Sequence, residues 1–241
     1  MPYPYYFYGI DWTYLYLVLP VLILSLIASA RVNSTFKRYS AQLSSRRITG
    51  AQAAQRVLNA NGVSGVRIER VTGHLSDHFD PKSNVIRLSE DVYDSTSTAA
   101  IGVACHEAGH AVQYAQNYGP IKLRAAIIPI TNIGSRLAMP LILIGILVTS
   151  LGQFADILIY LGIACFSLSL VFQLVTLPVE FNASRRALNT IDDVQLLTEE
   201  ERVGARKTLT AAAMTYVVAT LAAFTQLLRL ILLFGGRRRR N

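Results

Sequence analysis

Four apolar segments limit the folds that this chain can adopt. They cover residues 12–30, 137–151, 157–177 and 209–234. A helix of about 20 apolar residues crosses the core of a bilayer, and the second segment approaches that length if it extends at its N-terminal end. Mean hydropathy is +0.36, and charged residues make up 16% of the chain against about 25% in soluble proteins. The sequence therefore predicts a mainly α-helical, multi-pass membrane protein.

The charges around the first segment predict its orientation. Tyrosines at positions 3, 5, 6 and 8 precede it, as in an aromatic belt at a membrane interface. The basic residues that follow it are Arg31, Lys37, Arg38, Arg46 and Arg47. By the positive-inside rule, the N-terminus lies outside and the next segment lies in the cytoplasm. A cleaved signal peptide would carry its basic residues before the apolar run, so an anchor is favoured.

The two middle segments predict a helical hairpin with a turn at 152–156, which leaves the cytoplasm and returns to it. Arg229 interrupts the last segment, and arginines 237–240 follow it. A full crossing would place those arginines outside, against the positive-inside rule, whereas a helix lying at the interface would not. The direction of the last helix therefore stays open.

Composition also excludes some functions. The net charge is +8, but the basic residues flank apolar runs, which is typical of membrane anchoring. A basic groove interleaved with aromatic residues is absent from the sequence, so we expect no nucleic-acid partner. The two cysteines, Cys105 and Cys165, do not predict a disulfide framework, and Cys105 is expected to be a small buried residue.

Residues 32–124 predict a small α+β unit. An amphipathic helix is expected at 49–60, with an apolar stripe of Ala54, Val57 and Leu58. Strands are expected at 66–71 and 84–89 with a polar loop at 73–82 between them, and a helix is expected at 96–117. Ser97 or Thr98 would cap this last helix, which Gly119 and Pro120 would end.

That helix carries the pattern His-Glu-x-x-His at residues 106–110. His106 and His110 are one turn apart on the same face, where their imidazoles can bind one zinc ion. Glu107 lies at the edge of this site and can take a proton from zinc-activated water and pass it to a leaving amine. The small residues Ala108, Gly109 and Ala111 allow another element to approach. The alternative is a buried histidine pair satisfied by backbone carbonyls.

A third ligand is predicted directly after the hairpin. If residues 177–187 are helical, Glu180 shares a face with Ala183, Ser184 and Ala187 and can dock against Gly109. Two crossings separate His110 from Glu180, which brings both to the cytoplasmic side. Glu180 would complete a two-histidine, one-glutamate zinc site whose fourth position is left for water. Alternatively, it is an interfacial carboxylate paired with Arg185 or Arg186.

The polar loop holds the other two histidines, His74 and His78. One interpretation is that His74 or His78 reaches the zinc site and stabilises the oxyanion. A second metal site is a weaker interpretation. The other alternative is an Asx-type turn that carries two solvated histidines.

Four stretches together resemble the YugP-like membrane zinc metallopeptidases of bacteria: 73–81, 87–93, 106–110 and 177–185. The resemblance implies a multi-pass membrane protein with a zinc-peptidase site, distantly similar to membrane peptidases of the HtpX and CAAX-prenyl-protease kind. Ser184 stands where that wider group has Asp, and Asn182 is neutral where the narrower family tends to have an acid. In zinc peptidases of this general kind, a strand just before the His-Glu helix, here 84–89, can pair with an extended substrate.

The sequence thus predicts a helical membrane bundle with a small zincin-like α+β element that carries HExxH. Its expected segments are an anchor helix (1–31), the cytoplasmic α+β unit (32–124), the hairpin (125–178), a third-ligand helix and connector (179–208) and a C-terminal membrane or interfacial helix with a basic tail (209–241). The expected function is a zinc-dependent metalloendopeptidase of the bacterial plasma membrane. Its site would lie at the cytoplasmic face, and its substrates would be membrane-associated or unfolded polypeptides. The alternatives are a non-proteolytic zinc-binding scaffold and a zinc hydrolase of a non-peptide amide or a lipid.

Overall fold

The computed structural model describes residues 6–7 and 10–235, with side chains from residue 11 onward. The tyrosines at positions 3, 5 and 8 and the arginine run 237–240 lie outside the described residues. The chain is mainly helical, and its elements in order are β1 (Tyr6–Phe7), β2 (Ile10–Asp11), a π-helical stretch (Tyr14–Val18), α1 (Leu19–Ser40), α2 (Gly50–Ala60), β3 (Arg67–Val71), β4 (His78–Asp80), β5 (Val85–Ser89), α3 (Glu90–Tyr93), α4 (Thr98–Ala115), α5 (Gly119–Leu147), a 3₁₀ turn (Thr149–Leu151), α6 (Gln153–Asp193) and α7 (Glu199–Phe234).

These elements form two compact units that are interleaved along the chain. The first unit contains residues 1–27, 123–177 and 216–241, and the second contains 28–122 and 178–215. Helices α1, α5, α6 and α7 each contribute residues to both units.

The second unit has a three-stranded mixed sheet with β5 in the centre. Strand β5 pairs in parallel with β3 and antiparallel with β4. The strands expected at 66–71 and 84–89 are confirmed, whereas β4 lies inside the stretch that we expected to be a loop. Because β4 and β3 occupy both edges of β5, the expectation that β5 pairs with substrate is wrong. On the β4 side of this sheet, the outer edge is that of β4.

Helix α4 lies in the hydrophobic core of this unit. Its N-cap is Ser97, whose hydroxyl accepts the N–H of Ala100 at 3.2 Å. Helix α2 packs against it through Ala54, Val57 and Leu58, as its amphipathic pattern predicts. Fully burying a leucine or valine stabilises a fold by roughly 1.5–3 kcal/mol, so this packing holds α4 firmly in place.

The first unit contains the hairpin of α5 and the N-terminal part of α6. Prolines 129 and 140 lie inside α5, which nevertheless runs unbroken from Gly119 to Leu147. Gly152 has a φ of +54° after the 3₁₀ turn, and α6 begins at Gln153, so the turn lies four residues earlier than expected. A Cβ on Gly145 would lie 2.8 Å from the carbonyl oxygen of Ala155, which shows that the two helices are in close backbone contact.

Within the described residues, four helices are long and apolar enough to cross a membrane: Tyr14–Ser40, Gly119–Leu147, Gln153–Asp193 and Glu199–Phe234. Helix α6 continues through Pro178, so the expected third-ligand segment is the C-terminal part of a hairpin helix. Helix α7 opens on a capping box, in which Glu201 accepts the N–H of Thr198 at 3.1 Å. Arg229, which interrupts its apolar run, donates to the carboxylate of Asp11 and lies over the ring of Tyr14.

Candidate metal centre

Three side chains from two helices converge in the second unit. His106 and His110 extend from α4, and Glu180 extends from α6. The Nε2 atoms of the two histidines lie 3.3 Å and 3.5 Å from the same carboxylate oxygen of Glu180. One ligand atom from each of the three residues lies within 4.8 Å of the others, and His110 and Glu180 are buried.

This donor set fits a zinc ion. Zinc takes imidazole nitrogen and carboxylate oxygen ligands at about 2.0–2.2 Å. Two such ligands at a tetrahedral ion are roughly 3.3–3.5 Å apart, which matches the two nitrogen-to-oxygen distances. Burial alone would lower the pKa of His110, but the carboxylates of Glu180 and Glu107 outweigh it, and the pKa is raised. The electrostatics of the site therefore favour a positive charge.

A glycine allows α4 and α6 to approach each other. A Cβ on Gly109 would lie only 2.7 Å from the carbonyl oxygen of Ala183, which is itself fully buried. Backbone contact at this point lets the short carboxylate of Glu180 reach both histidines. The predicted docking of the Glu180 helix on Gly109 is confirmed by this contact.

Gln113 fixes the orientation of His110. The Gln113 amide nitrogen donates to the carbonyl of Val179 and to Oδ1 of Asn182, both at 2.9 Å. This leaves its amide oxygen 3.0 Å from Nδ1 of His110. Because a carbonyl oxygen only accepts, Nδ1 carries a proton, and the lone pair of the neutral ring then lies on Nε2, on the side of Glu180.

His106, like His110, has a neutral hydrogen-bond partner. The hydroxyl of Ser184 lies 3.0 Å from Nδ1 of His106. Asn182, next to Glu180, accepts from the guanidinium of Arg186 at 2.7 Å, and Arg186 also donates to Gln116. Arg186 thus forms hydrogen bonds with the neutral side-chain amides of Asn182 and Gln116.

Glu107 is buried on α4, next to His106, with 8% of its surface exposed. Asp77, which immediately precedes β4, lies near enough for the two charges to interact. Burial raises the pKa of Asp77, the charge of Glu107 raises it further, and hydrogen bonds from Ser89 oppose the rise. The chain entering β4 therefore lies beside the candidate general base.

The structure does not bring His74 or His78 into the metal-binding group. His74 is exposed, contacts the carboxylate of Asp91 at 2.5 Å and packs edge-on against Phe36. His78 is exposed, and its Nδ1 lies 2.8 Å from the carbonyl of Ser76. In the part of the chain that the structure describes, only His106, His110 and Glu180 form such a group. Cys105 is fully buried outside it, as expected.

Sequence reasoning missed Gln113. The available signal was its position three residues after His110, on the same face of α4. A glutamine at this position belongs to no known sequence motif, so only the structure reveals its contact with His110.

Two histidines and an adjacent glutamate on one helix, with a carboxylate from another, are the arrangement of zinc peptidases. A family profile described as "Putative neutral zinc metallopeptidase" matches residues 14–235, and the chain belongs to this family. Membership implies Zn²⁺ as the cofactor. The chain is also 44% identical over 228 residues to "Putative membrane protease YugP" of Bacillus subtilis (strain 168), covering 95% of this chain and 99% of that protein. No solved structure matches the chain significantly.

Proposed function

We propose that this protein is a membrane-embedded zinc metalloendopeptidase that uses His106, His110 and Glu180 as its zinc ligands. The convergence of these three side chains carries the proposal, because their ligand atoms lie within 4.8 Å of one another. The family description and the name of the YugP relative support a protease that is associated with a membrane.

The chemistry follows from the residues around this group. Zinc, when bound, supplies a Lewis acid that polarises a peptide carbonyl and makes water acidic enough to ionise near pH 7. Glu107 takes the proton from the attacking water and delivers it to the leaving nitrogen. Gln113 and Ser184 hold the two histidine rings in position. A role for His74 or His78 in stabilising the oxyanion would require the exposed segment around β4 to move.

The free edge of β4 is the proposed platform for the substrate backbone. An extended polypeptide can add to a sheet edge through main-chain hydrogen bonds. Asp77 begins this segment beside Glu107, so a paired substrate would pass close to the candidate base. A site that recognises backbone in this way needs an extended chain, which favours unfolded or membrane-associated polypeptides.

The proposed location is the bacterial plasma membrane, with several crossings and the site at the cytoplasmic face. Four helices of sufficient length and hydropathy support the crossings. The basic residues Lys37 and Arg38 in the last turns of α1 support a cytoplasmic position for the chain that follows.

The direct test of the ligand set is Glu180→Gln, with Glu200→Gln as the matched control at an exposed position on α7. Metal content and cleavage of an unfolded protein are measured for each purified full-length variant. We expect wild type and the control to hold about one zinc per chain and to cut, whereas Glu180→Gln loses at least 90% of both, because a neutral amide is a poor zinc ligand.

Unchanged zinc content in Glu180→Gln would refute the ligand assignment. If wild type holds zinc but cuts no polypeptide, the zinc-binding scaffold or the non-peptide hydrolase becomes the better account.

A further inference from the structure

A cavity of about 420 Å³ lies between α6 and α7 in the second unit. Two kinds of side chain stand out in its walls beside a few uncharged polar ones, and no acidic residue is among the described residues that line it. The two kinds are the arginines Arg185, Arg202 and Arg206 and the apolar residues Phe181, Leu209 and Met214.

The arginines leave an excess of positive charge at one end. Arg202 pairs with Asp192 at 2.6 Å. Arg185 and Arg206 are exposed, and neither forms an ion pair with any acidic residue within the ranges 6–7 and 10–235. Guanidinium groups bind phosphate oxygens through paired, charge-assisted hydrogen bonds. Two such groups on a concave surface are complementary to a phosphate-bearing anion.

The opposite end of the cavity is apolar. Phe181 and Met214 are 43% and 44% exposed, which leaves hydrocarbon surface uncovered. Along α6, Phe181 comes before Arg185 and lies nearer the apolar stretch of that helix, and along α7, Met214 comes after Arg206 and again lies nearer the apolar stretch. Charge therefore gives way to hydrocarbon in the direction in which both helices become apolar enough to cross a membrane.

We propose that this cavity binds an anionic phospholipid, with its phosphate against Arg185 and Arg206 and its acyl chain along Phe181 and Met214. A soluble phosphate compound would satisfy the arginines but would leave the apolar end uncovered. The proposal goes beyond the protease function and does not depend on it. Ser184 both lines the cavity and contacts His106, so the bound lipid would lie one side chain away from the zinc-binding group.

The test measures lipid binding to the full-length protein by native mass spectrometry in an uncharged detergent. Phosphatidylglycerol is titrated against phosphatidylcholine of the same chain length. Wild type is compared with Arg185→Gln/Arg206→Gln and with Arg56→Gln/Lys207→Gln, a control that removes two exposed cations outside the cavity. We expect the cavity variant to bind phosphatidylglycerol about thirty-fold more weakly, as the loss of two cations implies, and the control to match wild type.

Three results would overturn the proposal. Equal binding of the two lipids by wild type would remove the role of charge. If the cavity variant keeps its helical circular dichroism and binds phosphatidylglycerol as tightly as wild type, the lipid binds elsewhere. Glycerol phosphate or an acidic peptide that displaces phosphatidylglycerol at equal concentration would instead assign the cavity to a soluble anion or to substrate. Because binding is measured without peptide cleavage, an inactive protease would not affect the result.

Discussion

Gln113 connects α4 and α6 through one buried amide. Its side chain contacts His110 on α4 and reaches the backbone of Val179 and the side chain of Asn182 on α6. Partners of this kind set the tautomer of a metal-binding histidine and hold its ring in the orientation that the metal needs. The contribution of Gln113 to zinc binding should therefore exceed that of an ordinary polar residue.

We predict that Gln113→Leu weakens zinc binding by about 10- to 100-fold, the range typical of losing such a partner. The leucine keeps the side-chain volume but removes the acceptor for Nδ1 of His110. The measurement is zinc affinity by competition with a chelator of known affinity. Gln55→Leu, at an exposed position on α2, is the control. An equal affinity in the two variants would show that Gln113 has no role in positioning the ligand.

The neutral character of these contacts could be predicted only in part. Ser184 and Asn182 were identified from the sequence as neutral residues at positions where related peptidases tend to have acids. The structure adds that Ser184 contacts His106 and that Asn182 bonds Gln113 and Arg186. The hydrogen-bond partner of each side chain depends on the distance between two helices. The periodicity of the sequence does not predict that distance.

At the scale of elements, the close contact between α4 and α6 depends on Gly109, which has no side chain to separate the two helices. We predict that Gly109→Ala forces these helices apart, because its Cβ would lie 2.7 Å from the carbonyl oxygen of Ala183. Overpacking of this kind costs about 1–3 kcal/mol of stability. Zinc affinity should fall as well, since Glu180 would move away from both histidines.

The matched control is Gly119→Ala, where the new Cβ has no atom within 4 Å. Thermal unfolding and zinc affinity are measured for both variants. A Gly109→Ala protein with the stability and zinc affinity of this control would refute the close approach of α4 and α6.

Elements with a clear N-cap or a sufficiently long run of residues could be predicted from the sequence. Very short strands, and a helix that continues through a proline, could not. Helix α4 follows its Ser97 cap, and β3 and β5 follow the strands expected at 66–71 and 84–89. Strand β4 has three residues, too few for a periodic signal. The expected boundary between the hairpin (125–178) and the next segment (179–208) is not a helix end, because α6 continues through Pro178, where packing within a protein can compensate for the missing N–H.

At the scale of the whole molecule, the proposed metal centre would be assembled from two parts of the chain that are 70 residues apart, from His110 to Glu180. Residues 123–177 of the intervening hairpin belong to the first unit, whereas His110 and Glu180 belong to the second. Counting two crossings between the ligands predicted that they could lie on one side of a membrane. The grouping of non-consecutive segments into units could not be predicted, because it depends on tertiary packing.

The central claim is that Glu107 is the base of a zinc peptidase, and Glu107→Gln tests it most directly. The amide keeps the shape of the side chain but cannot take up a proton at neutral pH. Full-length wild type, Glu107→Gln and the Glu200→Gln control are purified, their zinc is quantified, and cleavage of one unfolded protein is timed. We predict that all three hold zinc equally and that only Glu107→Gln loses cleavage, by about 10²- to 10⁴-fold. Cleavage by Glu107→Gln at the wild-type rate, with its zinc retained, would contradict this account.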